Sequence, residues 1–362
     1  MVLSHRQVVM IGGPQANSVT GMTPTHLVPV TGFSAEAVVN QVLDEGRRGP
    51  HAKDFRASAG VSLVNINIEG MVQSDPGTAL GYGLGILLRN IFGGADTAAT
   101  LTAAGLWNHD FQLPASPAIE YLTIEEDHQI SGSNDRRFVG CRVQELVLAW
   151  NAGEGMLTYN ATLTGLQTTL VAATNLLAQA DTIEDPIEGW RANVAFDGAI
   201  NYTAGANQFT KLISAEWTLS RAPAVLYTAA NTQTPKEIYL GPLACTVALV
   251  MNFDADTELA KYRAGTEVKI TNAFIRSQGS TTALRRFIIG NSTFSLLDAP
   301  VTVDISAEHA TIAMAARALY NTDASVILKD STSIANDGTV AANAGPVQVR
   351  LTDLRTVVYN TA

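Results

Sequence analysis

The sequence predicts a mainly β protein with one or two short helices, built from two related modules in tandem. The clearest hairpin lies between Arg142 and Thr164, where two arms flank the short loop NAGEG. Its second arm alternates apolar and polar side chains, which is the period of a strand with one buried face. A weaker echo of this pattern, between Lys211 and Phe253, predicts the second module.

Length and composition support this division. The chain has 362 residues, of which 46% are hydrophobic, and this is enough apolar material for two ordinary cores. An acidic stretch with Pro186 and Gly189 runs from Asp181 to Trp190. We place the boundary there, so that residues 1–180 form a first module with an N-terminal arm and residues 191–362 a second module with a C-terminal extension.

Charge and hydropathy exclude several classes of protein. The net charge of −10 comes from 33 acidic and 23 basic side chains, which argues against a protein that grips nucleic-acid phosphates. No apolar run reaches the length of a membrane span. The first residues lack the apolar core of a secretory signal. We therefore expect synthesis in a cytoplasm and no contact with a membrane.

The two cysteines, Cys141 and Cys245, are too few for a disulfide framework. Cys245 falls in register with Val247 and Leu249 on the apolar face of a predicted strand. We expect both thiols to be buried, reduced and unpaired.

The secondary structure of the first half is predicted from turn and cap residues and from the periodicity of apolar residues. Residues 1–31 are rich in Gly and Pro and read as irregular, as an arm or a domain edge. Ser34 is a candidate cap for a short helix that ends near Gly46. Alternation predicts strands at 60–69 and 121–125, and leucines at helical spacing predict the best helix of the chain at 79–92.

The second half repeats elements of the same kind. Strands are predicted near 208–220, 238–253, 266–275, 285–289, 301–306 and 347–359. Residues 307–320 fit either a helix or a strand. Residues 330–343 are small and polar and are predicted to form a loop.

Three stretches mimic chemical motifs without meeting their requirements. Gly81, Gly83 and Gly85 lack the spacing of a dinucleotide fingerprint, so close packing or a flexible helix start is the better interpretation. Asp254, Asp256 and Glu258 match the first spacings of a calcium loop, but Leu259 replaces its turn glycine. We interpret these acidic residues as a solvated turn.

A third acidic stretch runs from Glu125 to His128. Adjacent residues on an extended chain point to alternating faces and do not converge on a metal or a substrate. A surface loop is therefore expected there. No paired histidines, nucleophile elbow or phosphate-binding loop occurs, so the sequence predicts no catalytic, cofactor or metal site.

The order of several motifs resembles that of the major tail tube proteins of long-tailed bacteriophages. The resemblance covers roughly residues 30–275 and rests on many weak motifs together. They are VTGFSAEAVVNQVLDEGRRG, VNINIEGMVQ, LGYGLGILLRNIFGG, LWNHDFQLPASPAIEYLTIEED, RRFVGCRVQELVLAW, MLTYNATLTG, KLISAEWTLS and EIYLGPLACTVALVMNFDADTELAKYRAG.

This resemblance implies a structural virion protein rather than an enzyme. Subunits of such proteins form stacked rings whose sheets join into an inner β-barrel, and genomic DNA passes through the lumen. Single-module tube proteins form hexameric rings, so two modules imply a homotrimer ring. Implied partners are other copies of the chain, the tape measure, tail terminator and tail tip proteins, and DNA in transit, with assembly in the host cytoplasm.

Two other classes of function stay open from the residues. One is a carbohydrate-binding or other β-sandwich accessory module of a phage particle, although the four tryptophans are scattered along the sequence. The other is an enzyme. Rings or tubes seen by electron microscopy would separate the tail tube from both.

The lumen assignment follows from face polarity together with the resemblance. One face of each sheet must pack on its own subunit, and hydrophobicity gives that role to Leu157, Tyr159, Ala161 and Leu163, and to Trp217, Leu219, Val247, Leu249 and Met251. The opposite face is left for the channel. The proposed lumen-facing residues are Thr158, Asn160, Thr162, Thr164, Glu216, Thr218 and Ser220.

Overall fold

The fold is mainly β, with twenty strands and two α-helices among the residues that the structure describes. The structure is a computed structural model. It describes residues 8–15, 18–44, 56–74, 83–94, 96–101, 106–114, 116–127, 135–153, 155–172, 185–197, 209–229, 232–277, 284–304, 309–320 and 345–354. The prediction of a mainly β fold is confirmed.

Eight antiparallel positions form one continuous layer, which we call the front sheet. The first four strands in spatial order are β3 (Gly32–Asp44), β4 (Arg56–Met71), β9 (Thr158–Gly165) and β8 (Asp135–Asn151). The next three are β12 (Leu212–Ser220), β15 (Ala244–Asn252) and β19 (His309–Ala318). The eighth is shared by the end of β17 (Leu284–Asp298) and by β18 (Val301–Asp304).

Two back sheets continue from the long strands of the front sheet. The first contains, in spatial order, β2 (His26–Val28), β1 (Val8–Gln15), β7 (Tyr121–Asp127), β8 and β10 (Gln167–Val171). The second contains β11 (Ala192–Phe196), β16 (Val268–Ser277), β17, β20 (Gln348–Asp353), β6 (Trp107–Gln112) and β5 (Asp96–Leu101). A separate hairpin joins β13 (Pro223–Leu226) to β14 (Glu237–Leu240).

The strands β8 and β17 each belong to two sheets. Residues 135–141 of β8 pair with β7 and β10, and residues 142–151 pair with β9 and β12. In β17, residues 284–294 pair with β16, residues 286–290 also pair with β20, and residues 294–298 pair with β19. The described strands do not close into a barrel within one chain, and among them β3 lies at one edge of the front sheet and β17–β18 at the other.

The core lies between the front sheet and the back sheets, because the apolar side of every front strand points inward. Leu163 and Leu219 are fully buried there, and Trp217 packs edge-on against Phe294 with ring centroids 5.6 Å apart. The core is continuous across the two halves of the chain, since Trp150 contacts the Phe274 ring at 5.6 Å. The predicted inward face is confirmed.

Helix α1 (Leu84–Phe92) confirms the best predicted helix, whose first residues, 79–82, lie outside the described residues. It ends at Gly93, which adopts the left-handed conformation that favours glycine. Its buried Asn90 accepts from the Val143 amide at 2.8 Å and donates to the Glu120 carbonyl at 2.9 Å. Gly83 confirms the close-packing interpretation, because a Cβ there would lie 2.8 Å from Val28.

The predicted helix from Ser34 to Gly46 is wrong, because residues 32–44 form strand β3. The segment AEAVVNQV suits either period, and pairing with β4 along its whole length decides the outcome. Residues 1–31 are also less irregular than expected. Strand β1 is buried at Val9 and Ile11 and pairs with β7.

The remaining elements follow the prediction more closely. The ambiguous stretch 307–320 contains strand β19, and the predicted strands of the second half are present with shifted ends. At the proposed domain boundary, residues 181–184 lie outside the described residues, and Gly189–Arg191 forms a 3-10 helix. Residues 330–343 are also outside them. The domain division itself stays a prediction.

Both cysteines are buried and free, as the sequence predicts. Cys141 lies in β8 and Cys245 in β15, and each side chain is at most 1% exposed. Burial raises the pKa of both thiols well above the ordinary value, because a thiolate loses its hydration there.

Candidate functional site

The outward side of the front sheet is a broad surface of small polar side chains, which we call the polar face. It is set by strand alternation, because residues between the buried positions must point away from the core. Cross-strand pairing brings rows from distant parts of the chain together. Its members include Asn65, Asn67, Glu69, Thr158, Asn160, Thr162, Glu145, Asn151, Ser214, Glu216, Thr218, Ser220, Thr246, Asn252 and Arg317.

Hydrogen bonds within the polar face fix some of these side chains. The Glu69 carboxylate accepts from the Asn67 amide at 3.0 Å and from the Asn160 amide at 3.5 Å, so it joins β4 to β9. The Thr158 hydroxyl donates to the Ala149 carbonyl at 3.2 Å. Two amides therefore hold the Glu69 carboxylate, and the backbone holds the Thr158 hydroxyl.

The charge on the polar face is predominantly negative. The ionisable side chains that project from it, among those the structure describes, are Glu36, Glu69, Glu145, Glu216, Asp298 and Arg317. Five carboxylates thus face one guanidinium. A nucleic-acid phosphate near this surface would meet more repulsion than attraction.

Six of the seven residues predicted to face a lumen lie on the exposed or half-buried part of the polar face. They are Thr158, Asn160, Thr162, Glu216, Thr218 and Ser220. The seventh, Thr164, is only 3% exposed, and its hydroxyl donates to Gln144 at 3.0 Å. Its place in the strand alternation is that of an outward-facing residue, but its side chain is enclosed by the protein.

Sequence reasoning missed part of this surface. Glu69 and Asn67 carry the same alternation as the hairpin and were available to the same argument. Glu145 follows a β-bulge after Val143. The bulge shifts the alternation in β8, so the sequence alone does not show that Glu145 faces outward. Arg317 lies in the stretch whose period fits both a helix and a strand.

The acidic stretch at 125–128 does not form the expected surface loop. Glu125 and Glu126 lie in β7 and are buried, and they pair with Arg137 and Arg136 of the adjacent strand. The Arg137 Nε lies 2.7 Å from the Glu125 carboxylate. Cross-strand arginines make this burial possible, and His128 lies outside the described residues.

The prediction of a solvated turn at 254–258 holds for Asp254 and Asp256, which are exposed, but is wrong for Glu258, which is buried. Helix α2 (Thr257–Ala264) begins among them and ends at Gly265, and Glu258 is 7% exposed. Lys211 lies 2.6 Å from Asp254 and 3.3 Å from Glu258. The ion pairs of Lys211 with Asp254 and Glu258 therefore hold the start of α2 against β12.

Among the described residues, no group of histidine, cysteine, aspartate or glutamate side chains is arranged to hold a metal ion. No helix in that part of the chain is long and apolar enough to cross a membrane. The polar face is the most extensive candidate surface.

Comparison with known protein families gave one informative result. A family model described as phage tail tube protein matches residues 54–326. A comparison with curated proteins gave no match. The family is one of structural proteins of the phage virion and is not a known class of enzyme. Because the match spans more than half of the sequence, the chain belongs to the phage tail tube protein family.

Proposed function

We propose that copies of this chain assemble into stacked rings that form the tail tube, with the polar face turned toward the channel through which genomic DNA passes. The observation that carries the proposal is the front sheet itself. Among the described residues, it is continuous over eight strand positions, buries one side in the core, and ends in two open edges. Open edges associate with other chains unless they are covered, and ring closure covers them.

The chemistry of the polar face suits a conduit better than a binding site. Each phosphate that a cation neutralises releases counterions and adds affinity. Among the described residues, the ionisable groups on the polar face are five carboxylates and one guanidinium, that of Arg317, so passing DNA finds few such contacts. DNA is therefore expected to slide through without specific binding.

The strand order of the two halves supports a tandem duplication. In the first half the front-sheet order is β3-β4-β9-β8, and in the second half it is β12-β15-β19 followed by the end of β17 with β18. A helix follows the second strand in both sets. The strand at the fourth position of each set, β8 or β17, also enters a back sheet. Two β modules of one origin explain this order.

Local details align the two sets residue by residue. A β-bulge separates Val143 from Glu145 in β8, and another separates Leu296 from Asp298 in β17. With these bulges superimposed, the pair Leu148–Tyr159 corresponds to Val301–Ile312. The same alignment equates two hydrogen bonds of 2.8 Å, from the Val72 amide to the Leu157 carbonyl and from the Phe253 amide to the Ala310 carbonyl.

Two modules per chain give six modules in a ring of three chains, which is the symmetry we propose. The other proposed partners are the tape measure, tail terminator and tail tip proteins, which would meet the ends or the interior of such a tube. Assembly would take place in the host cytoplasm.

A carbohydrate-binding role has less support. Sugar platforms present exposed aromatic faces, but Trp150 and Trp217 are buried in the core. Trp190 is 63% exposed, yet the Arg191 guanidinium lies 4.3 Å from the centre of its ring. These three tryptophans do not form a common platform.

Electron microscopy of the purified full chain tests the proposal. We expect rings or tubes with a central channel, and the number of chains per ring follows from the mass of a single ring. A protein that stays monomeric at high concentration, and that also fails to appear in tails assembled with the other phage proteins, would contradict it.

A further inference from the structure

We propose that the free edge of β3 in one copy pairs, antiparallel, with the β17–β18 edge of the next copy, in the register already present between β8 and β12 inside each chain. This inference rests on the proposed function. It goes further by naming the two edges, their relative direction and the residues that meet. The occupant of each edge is a second copy of this chain.

The internal junction between the halves is the template. Strand β8 is the last position of the first set and β12 the first position of the second set, and they pair over seven residues. By the alignment of the two sets, the end of β17 with β18 corresponds to β8, and β3 corresponds to β12. A second copy that repeats the internal junction therefore places its β3 on β18.

The β-bulges define the register. Within the chain, Leu148 lies opposite Trp217, and Ala149 lies opposite Glu216. Val301 corresponds to Leu148, and Ala35 corresponds to Trp217, because Ala35 pairs with Ile66 as Trp217 pairs with Val247. Between copies, Val301 then meets Ala35, and Thr302 meets Ser34.

Burial at the two kinds of junction supports this pairing. Leu148 and Trp217 are each 1% exposed at the internal junction, whereas Val301 is 40% exposed at the free edge. Val39 on β3 and Leu297 on β17 are also exposed, at 46% and 53%. Pairing with the neighbouring strand would remove these apolar side chains from water, as Leu148 and Trp217 are removed from water at the internal junction.

Backbone hydrogen bonding is compatible with the same register. The Pro300 carbonyl accepts from the Ala313 amide at 3.1 Å, so Pro300 directs its polar group toward β19. Alternate residues of a strand bond to opposite neighbours. Val301 therefore directs its backbone groups to the open edge, and the missing N–H of Pro300 does not interrupt pairing there. The Ala299 amide is already bonded to the Asp298 carboxylate at 2.8 Å.

A pair of engineered cysteines tests the register. Ser34→Cys and Thr302→Cys, combined in one full-length chain, are placed in facing positions of neighbouring copies. Within one chain the two edges lie about seven strand spacings apart, roughly 34 Å, and a disulfide needs Cα atoms within about 7 Å. Any bridge between these cysteines must therefore join two copies. Cys141 and Cys245 are buried and stay out of the reaction.

The matched control keeps Ser34→Cys and moves its partner to Asp298→Cys. In the proposed register Asp298 meets Val38, four residues from Ser34, which is roughly 13 Å along the strand. We expect oxidation of assembled Ser34→Cys, Thr302→Cys protein to convert most of the chain into covalent oligomers on non-reducing gels, ending at the number of copies in a ring. The control pair and both single variants should remain monomeric on the gel.

The outcomes separate the two proposals. Rings or tubes whose Ser34→Cys, Thr302→Cys chains do not cross-link, or whose control pair links equally well, overturn the edge and register assignment and leave the tube function standing. If the unmodified chain forms no rings or tubes and is also absent from tails assembled with the other phage proteins, the proposed function fails with it. A variant that does not assemble is replaced by Glu36→Cys with Pro300→Cys, the adjacent facing pair on the same side of the sheet, and the same comparison decides.

Discussion

Leu148 and Trp217 lie directly opposite each other where β8 pairs with β12, and each is 1% exposed. This contact joins the two halves of the chain into one sheet. The indole of Trp217 also packs against Phe294, so the same side chain links the sheet to the core beneath it.

We expect Trp217→Ala to lower the free energy of unfolding by about 3–5 kcal/mol, because it leaves a large cavity at a fully buried position. Urea denaturation followed by circular dichroism measures the change. The neighbouring Thr218→Ala, on the polar face, should change it by less than about 0.5 kcal/mol. A loss below about 1 kcal/mol for Trp217→Ala would mean that the junction between β8 and β12 contributes little to stability.

The buried pair of Glu125 and Arg137 gives a second prediction. Arg137→Gln leaves a fully buried carboxylate without its guanidinium, so we expect a loss of about 3–5 kcal/mol in the free energy of unfolding. Adding Glu125→Gln should recover part of that loss. The half-exposed pair Arg191–Glu188 is the control, since Arg191→Gln should cost less than about 1 kcal/mol. Equal costs at the two sites would refute the argument from burial.

Tyr121 predicts how stability depends on alkaline pH. Burial, and then the nearby Glu237 carboxylate, raise the pKa of Tyr121 from 10.0 to about 12. The stabilisation tied to its neutral form is complete below pH 10 and is lost as the pH rises toward 12. The free energy of unfolding should therefore fall less steeply between pH 10 and 12 in Tyr121→Phe than in the unmodified chain. Identical slopes would show that Tyr121 does not contribute.

How much of this fold the sequence predicts depends on whether one period dominates a segment. The hairpin arm from Leu157 to Leu163 has a single clear alternation, and its buried face is as expected. The segment after Ser34 fits a helix and a strand equally well locally. Its long-range pairing with β4 decides the outcome, and no local signal reveals that pairing.

The polar face was predictable in part for the same reason. Thr158, Asn160 and Glu216 follow directly from alternation. Thr164 is enclosed through its contact with Gln144, a bulge residue, and bulges are not visible in composition or period. The burial of Glu125 was missed because its charge indicates a surface position unless the cross-strand arginine is known.

Adding cations to the polar face tests its role in DNA transit. Thr158→Lys with Thr162→Lys should leave ring assembly nearly intact, because both side chains project from the open side of the sheet. We expect genome delivery to fall, since the added lysines bind passing phosphates. Tail morphology by electron microscopy and infectious titre are the measurements.

The matched control for this experiment places two lysines on the back sheet, as Thr168→Lys with Leu170→Lys. Both residues are exposed on β10, away from the polar face. These particles should assemble and infect normally. Normal infection by the Thr158→Lys, Thr162→Lys particles as well would count against a channel position for β9.

A reconstruction of the assembled tube by electron cryomicroscopy, at a resolution that shows side chains, tests the central claim most directly. We expect rings of three chains in which Thr158 and Glu216 face the channel and Tyr159 and Trp217 face away from it. A tube in which Tyr159 and Trp217 line the channel, or in which the front sheet lies on the outer surface, would contradict it.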